Sequence, residues 1–170
     1  MVDTLRLSDG VISLDPLRAS DAEEHLRGED EELQRWLSGG KSTIEGVRAY
    51  LGKVDRQWQA RGPVFHFAVR VEPHLALAGT IDLQFDQPYA RCHQVNLAYG
   101  IYPQWRRRGF ATRAVNLSIQ FLRDHTDAQE ALIRTERANR ASAMVAERAG
   151  FTAVPQLSDH QGMIHFERMV

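Results

Sequence analysis

The sequence predicts an α+β protein, a single mixed and mostly antiparallel sheet flanked by helices. Two observations carry this. Helix-period segments fill residues 20–61, after which the period changes and three β-rich runs follow one another through short connections. A strand–helix–strand unit over residues 91–136 comes next, and its crossover makes those two strands parallel. The order reads βααβββαβαβ without repeats or linkers, and residues 1–170 are expected to form one domain.

Residues 11–18 (VISLDPLR) alternate as a strand, with Pro16 marking an edge or an end. Ser20 with Glu23 spells a capping box that opens a helix carrying Ala22 and Leu26. Gly28 and the acidic run Glu29, Asp30, Glu31, Glu32 interrupt it before a second stripe of Leu33, Trp36 and Leu37. Gly39-Gly40 stops that stripe. Ser42 with Glu45 then caps a longer helix whose face carries Val47, Tyr50, Leu51, Val54 and Trp58, ended by Gly62-Pro63. Strands follow at residues 64–71 and 77–85, a turn at 86–90, and a strand at 91–102. Ala111, Ala114, Val115, Ser118, Phe121 and Leu122 recur at helical spacing over residues 110–123, and residues 131–136 return to strand. Asn139 caps a last helix with Ala143, Met144 and Ala146. Gly150 fits a left-handed C′ position there, with Phe151 as the apolar contact of a Schellman ending. Strands at 152–154 and 163–170 close the chain.

Composition narrows the partners. The chain is 43% apolar and 25% charged with a net charge of −1, which argues against nucleic-acid and membrane-surface binding. No apolar run approaches the roughly 20 residues of a membrane span, and MVDTLRLSDG lacks signal-peptide character, so a cytoplasmic protein is expected. Cys92 is the one cysteine, and the seven histidines show no helical H-x-x-x-H pair, so no metal site is expected. A Cys92–His93 dyad is disfavoured, because neighbours in a strand face opposite ways.

The chemistry concentrates in residues 95–111, VNLAYGIYPQWRRRGFA. A strand, a proline and a basic turn lead directly into a helix, an arrangement that offers free backbone N–H groups and a helix dipole to an anion. Arg106, Arg107 and Arg108 add charge, Gly109 allows a tight turn, and Ala111 keeps the helix start close to a ligand.

R-x-x-G-x-A at Arg106 to Ala111, followed by a helix, a strand, N-x-x-S at Asn139 and Ser142, and E-R-A-G-F at Glu147 to Phe151, resembles the GCN5-related N-acetyltransferases. More narrowly it is similar to the branch that holds ribosomal-protein N-terminal acetyltransferases and many small-molecule acetyltransferases. The resemblance implies the acyl-CoA N-acyltransferase fold, whose two central parallel strands splay apart to admit the pantetheine arm of acetyl-CoA. That arm would pair with backbone of Ile101 and Tyr102. The diphosphate would sit on amides of Arg107, Arg108, Gly109, Phe110, Ala111 and Thr112, with Arg106 and Arg108 as charge partners and Asn139 beside the pantetheine. Relatives often pair as homodimers.

The resemblance also implies direct attack of a neutral amine on the thioester. A lysine-like amine of pKa about 10.4 is mostly charged at neutral pH, so a base or a water relay is useful. Ser142 is the expected proton donor to the leaving thiolate, with Tyr99 and Tyr102 as alternatives. Where many relatives carry a glutamate on the first splayed strand this chain has Asn96, which can hold a water or orient the amine. Glu136 and Asp82 are the nearest carboxylates, and His66 and His93 are further candidates for the base. The run Glu29 to Glu32 would draw a cationic acceptor, with Trp36, Tyr50 and Trp58 as cleft walls or core. The expected activity is acetyl-CoA-dependent N-acetylation of a primary amine, on a small molecule or a protein N-terminus. The alternative is a non-catalytic acyl-CoA-binding module of the same fold.

Overall fold

The computed structural model describes residues 5–155 and 162–170. Its sheet runs in the order β1-β2-β3-β4-β5-β6-β8-β7. The strands are β1 (Leu7–Ser8), β2 (Ile12–Pro16), β3 (Val64–Val71), β4 (Ala76–Gln84), β5 (Gln94–Ile101), β6 (Glu130–Glu136), β7 (Thr152–Ala153) and β8 (Met163–Met169). Among the described strands only β5 and β6 are parallel to each other; every other neighbouring pair is antiparallel. The two-residue strand β1 had no signal in the sequence pattern. The third long strand begins at Gln94 rather than Arg91, so Cys92 and His93 lie in the turn before it. Cys92 is exposed there, and His93 faces Asp127 at 3.5 Å.

The helices are α1 (Ala22–Gly28), α2 (Glu31–Leu33, continued by a π-helical turn over Gln34–Ser38), α3 (Ile44–Ala60), α4 (Phe110–His125) and α5 (Arg140–Arg148). On α3 the buried residues are Val47, Leu51, Val54 and Trp58, the stripe its spacing predicts. On α4, Phe121 packs edge-on against Phe65 and Phe67 with centroids 5.4 and 5.1 Å apart. Registry separates the two faces of the sheet. Phe67, Ile81 and Tyr99 align across β3, β4 and β5 on the α4 side, whereas His66, Asp82 and Ala98 align on the side where Tyr50 of α3 reaches His66.

Both predicted capping boxes are displaced. Ser20 lies inside a 3₁₀ turn, and the reciprocal bond comes instead from the Arg18 N–H to the Asp21 carboxylate at 2.9 Å. Thr43 caps α3 through the Gly46 N–H, which frees Ser42 to donate elsewhere. The Schellman ending of α5 forms as predicted: Gly150 has φ +79°, its N–H donates to Glu147, and Phe151 N–H donates to Ala146.

The feature that shapes the site is a ladder that stops early. β5 and β6 pair at Gln94–Glu130, Val95–Ala131 and Asn96–Leu132 and nowhere beyond. Yet β5 continues to Ile101 and β6 to Glu136, each held along its outer side by β4 and β8 respectively. The inner edges therefore diverge into a gap, the predicted splay.

A buried charge cluster fixes where α1 leaves the sheet. Arg70 on β3 donates through Nε to Asp15 of β2 at 2.8 and 3.0 Å and through one terminal nitrogen to Asp21 at 3.1 and 3.0 Å. Its side chain is 11% exposed, and those of Asp15 and Asp21 are 14% and 7% exposed. Arg70→Ala leaves two buried carboxylates without their counter-charge and should lower unfolding free energy by about 3 kcal/mol, read from the urea midpoint.

Candidate active site

Two cavities flank the open end of β5. The first, about 310 Å³, lies between β5, the turn after it, the start of α4, and α5. Tyr99, Gly100, Ile101, Arg106, Arg107, Gly109, Phe110, Ala111, Thr112, Asn139 and Ser142 line it, so the expected positions and their neighbours converge. The wall also includes Trp36, a cleft candidate from the sequence, and residues the sequence pattern did not assign to a site: Ala141, Met144, Val145 and Arg148 of α5, with Leu33 and Leu37 from the α2 segment. The α5 residues follow from helical spacing once Ser142 is placed.

The turn into α4 has the backbone for an anion. Arg107 and Gly109 both have positive φ, +61° and +77°, alternating with ordinary residues, which aims successive N–H groups the same way. Gly109 is the N-cap; its carbonyl accepts from Arg113 at 3.1 Å, and no side chain caps the helix. The amides of Phe110, Ala111 and Thr112 lie in the first turn, where a helix supplies no acceptors, and no acidic side chain stands there. A Cβ added to Gly109 would meet nothing within 4 Å, so the glycine serves the left-handed backbone rather than a tight packing contact.

The three arginines divide by partner. Arg106 is engaged by the protein itself: its two terminal nitrogens donate to Asp30 at 2.7 and 2.8 Å and its Nε to the Ile101 carbonyl at 2.9 Å, with Glu32 at 2.9 Å. It lines the cavity as a strut between α2 and β5. Arg108 stacks over Trp105 at 5.1 Å and lies outside the lining. Arg107 lines the cavity and is exposed.

The backbone expectation for Tyr102 is corrected. Its N–H donates to Ala78 and its carbonyl accepts from Trp105, so neither faces the gap. Antiparallel alternation then turns the N–H and C=O groups of Leu97, Tyr99 and Ile101 towards β6, so Tyr99 and the Ile101 N–H carry the open edge, the Ile101 carbonyl already accepting from Arg106. The Tyr99 hydroxyl lies 3.1 Å from both Ser142 Oγ and the Ser142 carbonyl, spanning the gap to α5. Burial pushes the Tyr99 phenol up to about 12, with the Ser142 hydrogen bond opposing. Asn139 caps α5 through the Ser142 N–H at 3.1 Å and holds that serine at the wall.

The second cavity, about 600 Å³, opens on the other face of β5. Its walls include His25 and Glu29 from α1 and its end, Lys41, Ser42 and Thr43 from the following loop, Tyr50 of α3, Thr80, Asp82 and Gln84 of β4, and Ala98 and Tyr102. It shares Leu33, Leu37 and Gly100 with the first cavity. A Cβ on Gly100 would lie 2.6 Å from a methyl of each leucine, so a side chain there would push both leucines off their present contact with β5.

Several expected residues fall outside. Glu136 is exposed at the end of β6 and lines neither cavity. Asn96 is 5% exposed beneath the second cavity; its Nδ2 donates to Gln84 at 2.8 Å. His66 is buried behind Asp82, with Nδ1 2.9 Å from that carboxylate and Nε2 2.7 Å from Gln57 Oε1. Trp58 is core, Tyr50 walls the second cavity, and Trp36 walls the first. Within the acidic run only Glu29 reaches the second cavity. Burial raises its affinity for a proton, but donors from Ser42, Ser38 and Gln34 outweigh this and hold its pKa below the usual carboxylate value.

His25 is the residue that pattern reading passed over. Its Nδ1 is 2.8 Å from the Tyr102 hydroxyl and its ring stacks on Tyr50 at 5.8 Å. The available signal was spacing: three residues after buried Ala22 and four before Glu29, His25 sits on the inward stripe of α1. Gly28 matters here too, because a Cβ there would strike the Tyr102 ring.

Residues 12–152 match the model of the acetyltransferase (GNAT) domain, and the chain belongs to that family. Among solved structures, it is similar to RimL, a ribosomal α-N-protein acetyltransferase in complex with coenzyme A (TM-score 0.80, 14% identity, 98% of each chain). It is also similar to RimJ of Mycobacterium smegmatis in complex with CoA-disulfide (TM-score 0.74, 15% identity, 95% of this chain and 83% of that one). A third is spermidine N-acetyltransferase of Vibrio cholerae with CoA and spermine (TM-score 0.75, 13% identity, 95% and 96%). Curated protein sequences give no significant match. Among the described residues no helix is long and apolar enough to cross a membrane, and no group of three His, Cys, Asp or Glu side chains could hold a metal ion.

The Asp30–Arg106 pair yields a pH test. Hydrogen bonds from Arg106 hold the Asp30 carboxyl below its usual value. Its stabilisation is therefore complete above the unfolded carboxylate pKa of about 3.9 and is lost as pH falls through the lower folded value. Asp30→Asn should cost about 1 kcal/mol at pH 6, with the difference from wild type vanishing in urea titrations at the acid end.

Proposed function

We propose that this chain is a cytoplasmic enzyme that moves an acetyl group from acetyl-CoA to a primary amine by direct attack in a ternary complex. The observation that carries the reading is that the two cavities meet at Gly100 on the unpaired end of β5. The first cavity fits coenzyme A in three respects: the left-handed turn at Arg107 and Gly109, the uncapped α4 amides, and the open edge of β5. On this reading the Gly109 to Thr112 amides and the Arg107 side chain hold the diphosphate, and the backbone of Tyr99 and Ile101 pairs with the pantetheine arm. Bound acetyl-CoA supplies the acetyl thioester. Ser142, with the Tyr99 hydroxyl beside it, supplies a proton on the thiol side.

The acceptor belongs in the second cavity. Its carboxylates at Asp82 and Glu29 favour an ammonium group, and its size of about 600 Å³ favours a small molecule. Asn96, standing where many relatives carry a glutamate, would be the ground for the non-catalytic alternative. Asn96 lies outside both cavities, so its identity no longer counts for that alternative.

Thiol release from acetyl-CoA, measured across monoamines, polyamines, amino sugars and short peptides, should show turnover with at least one small cationic amine. Binding without release across the whole panel counts against the proposal. Gly109→Asp should weaken CoA binding at least tenfold by calorimetry, because it sets a carboxylate against the diphosphate. Gly109→Asn, neutral and tolerant of positive φ, should lose much less. Ser142→Ala should lower kcat by about ten- to a hundredfold while leaving CoA affinity near wild type, and a normal kcat would return the serine to a packing role.

A further inference from the structure

Resting on the acetyltransferase reading above, we propose that His25 is the base that takes the proton from the acceptor's ammonium group, with Tyr102 as its positioning residue. The second cavity contains three groups able to accept a proton near neutral pH or to hold an ammonium: His25, Asp82 and Glu29. Both carboxylates already have firm protein partners. Asp82 bonds to His66 at 2.9 Å, and Glu29 accepts from Ser42 N–H at 2.8 Å and Ser42 Oγ at 2.7 Å.

His25 differs in having one nitrogen held and the other available. Nδ1 lies 2.8 Å from the Tyr102 hydroxyl, and among the described residues Nε2 makes no hydrogen bond. With Nδ1–H donating to the Tyr102 oxygen, Nε2 carries the lone pair that a base needs. The ring is fixed by stacking on Tyr50, and Tyr102 is fixed by close packing against Gly28. Tyr102 also stands two residues beyond Gly100, on the same side of the chain, which ties His25 to the junction between the cavities.

The proton balance is simple. The ammonium gives one proton to Nε2 and becomes a neutral amine, and the resulting imidazolium keeps its Nδ1–H bond to Tyr102. Asp82 from β4, with Glu29 and Asp21 at the two ends of α1, stabilises that cation; the Tyr50 and Tyr102 hydroxyls face it from α3 and from beyond β5. Lys41 on the cavity wall is the opposing charge. The imidazolium then returns its proton to water. Burial lowers the His25 pKa while Asp82, Glu29 and Asp21 act to raise it, so the ring is neutral and able to accept at pH 7. Burial first, and nearby carboxylates second, keep Tyr50 and Tyr102 protonated throughout.

The test has a spectroscopic arm and a kinetic arm. The His25 Cε1–H resonance, assigned by its loss in His25→Gln, should titrate with a midpoint below 6.5 in the full-length protein. A midpoint at or above 6.5 overturns the proposal without any turnover being measured. In the kinetic arm, His25→Gln and His25→Asn should both bind coenzyme A as wild type does and lose at least a hundredfold in kcat/KM for the amine at pH 7. That deficit should shrink below tenfold by pH 10, where the amine deprotonates unaided. A deficit equal at every pH makes His25 a packing residue, and no deficit removes it from the reaction; either result overturns this assignment and leaves the acetyltransferase reading standing. A wild type that releases no thiol with any amine overturns both.

Discussion

The arrangement depends on a β-ladder that ends after three residue pairs. Hydrogen bonds between β5 and β6 cease at Asn96 and Leu132, while each strand keeps a complete partner on its other side. The divergence therefore costs few sheet hydrogen bonds beyond those of the gap itself, and it leaves polar backbone at the edge of a cavity that a ligand can satisfy. Around that edge the chain sets an anion-accepting turn on one side and a polar, carboxylate-bearing chamber on the other. Their meeting point is a residue without a side chain, which is why a partition of two leucines can press so close to the strand.

The polar networks divide the labour in a way that charge counting alone would miss. Asp30 and Glu32 belong to a run that looks like a solvated acidic patch, yet both serve Arg106, and through it they tie the α2 segment to the end of β5. Glu29 is consumed by the serines of the loop before α3. Glu29 still lends its charge to the second cavity beside the carboxylate of Asp82, itself oriented by buried His66, which Gln57 and Tyr50 hold in turn. On the proposed reading, recognition of the donor and of the acceptor would thus use different materials, backbone amides in the first cavity and side chains in the second.

This difference explains what could be read from the sequence. The donor turn was legible because its parts are contiguous: Tyr99 to Thr112 and Asn139 to Phe151 are two short stretches whose local geometry follows from Gly109, Asn139 and Gly150. The helical stripe of α3 and the crossover before β6 were legible for the same reason. The acceptor chamber was not, because it gathers His25, Ser42, Tyr50, Asp82 and Tyr102 from five separate elements. Arg106 shows the limit most plainly. Within R-R-R it is indistinguishable from its neighbours, and only a partner 76 residues away separates its role from that of Arg107. The caps were misplaced because Ser20 and Ser42 satisfied the pattern, whereas in space the first box closes between Arg18 and Asp21 and Thr43 caps α3.

The partition of Leu33 and Leu37 has a thermodynamic consequence. It is one side chain thick, it sits on a π-helical turn, and its position is set by a strut whose far end borders the donor loop. A surface shared in this way has two faces but one set of rotamers, so a molecule that fixes those rotamers from either side alters the fit on the other. Linkage makes such an effect mutual: the free energy by which the first occupant changes the second's affinity equals that for the reverse order. On the proposed reading, in which each cavity takes one substrate, Leu33 and Leu37 are the wall through which the two would be coupled.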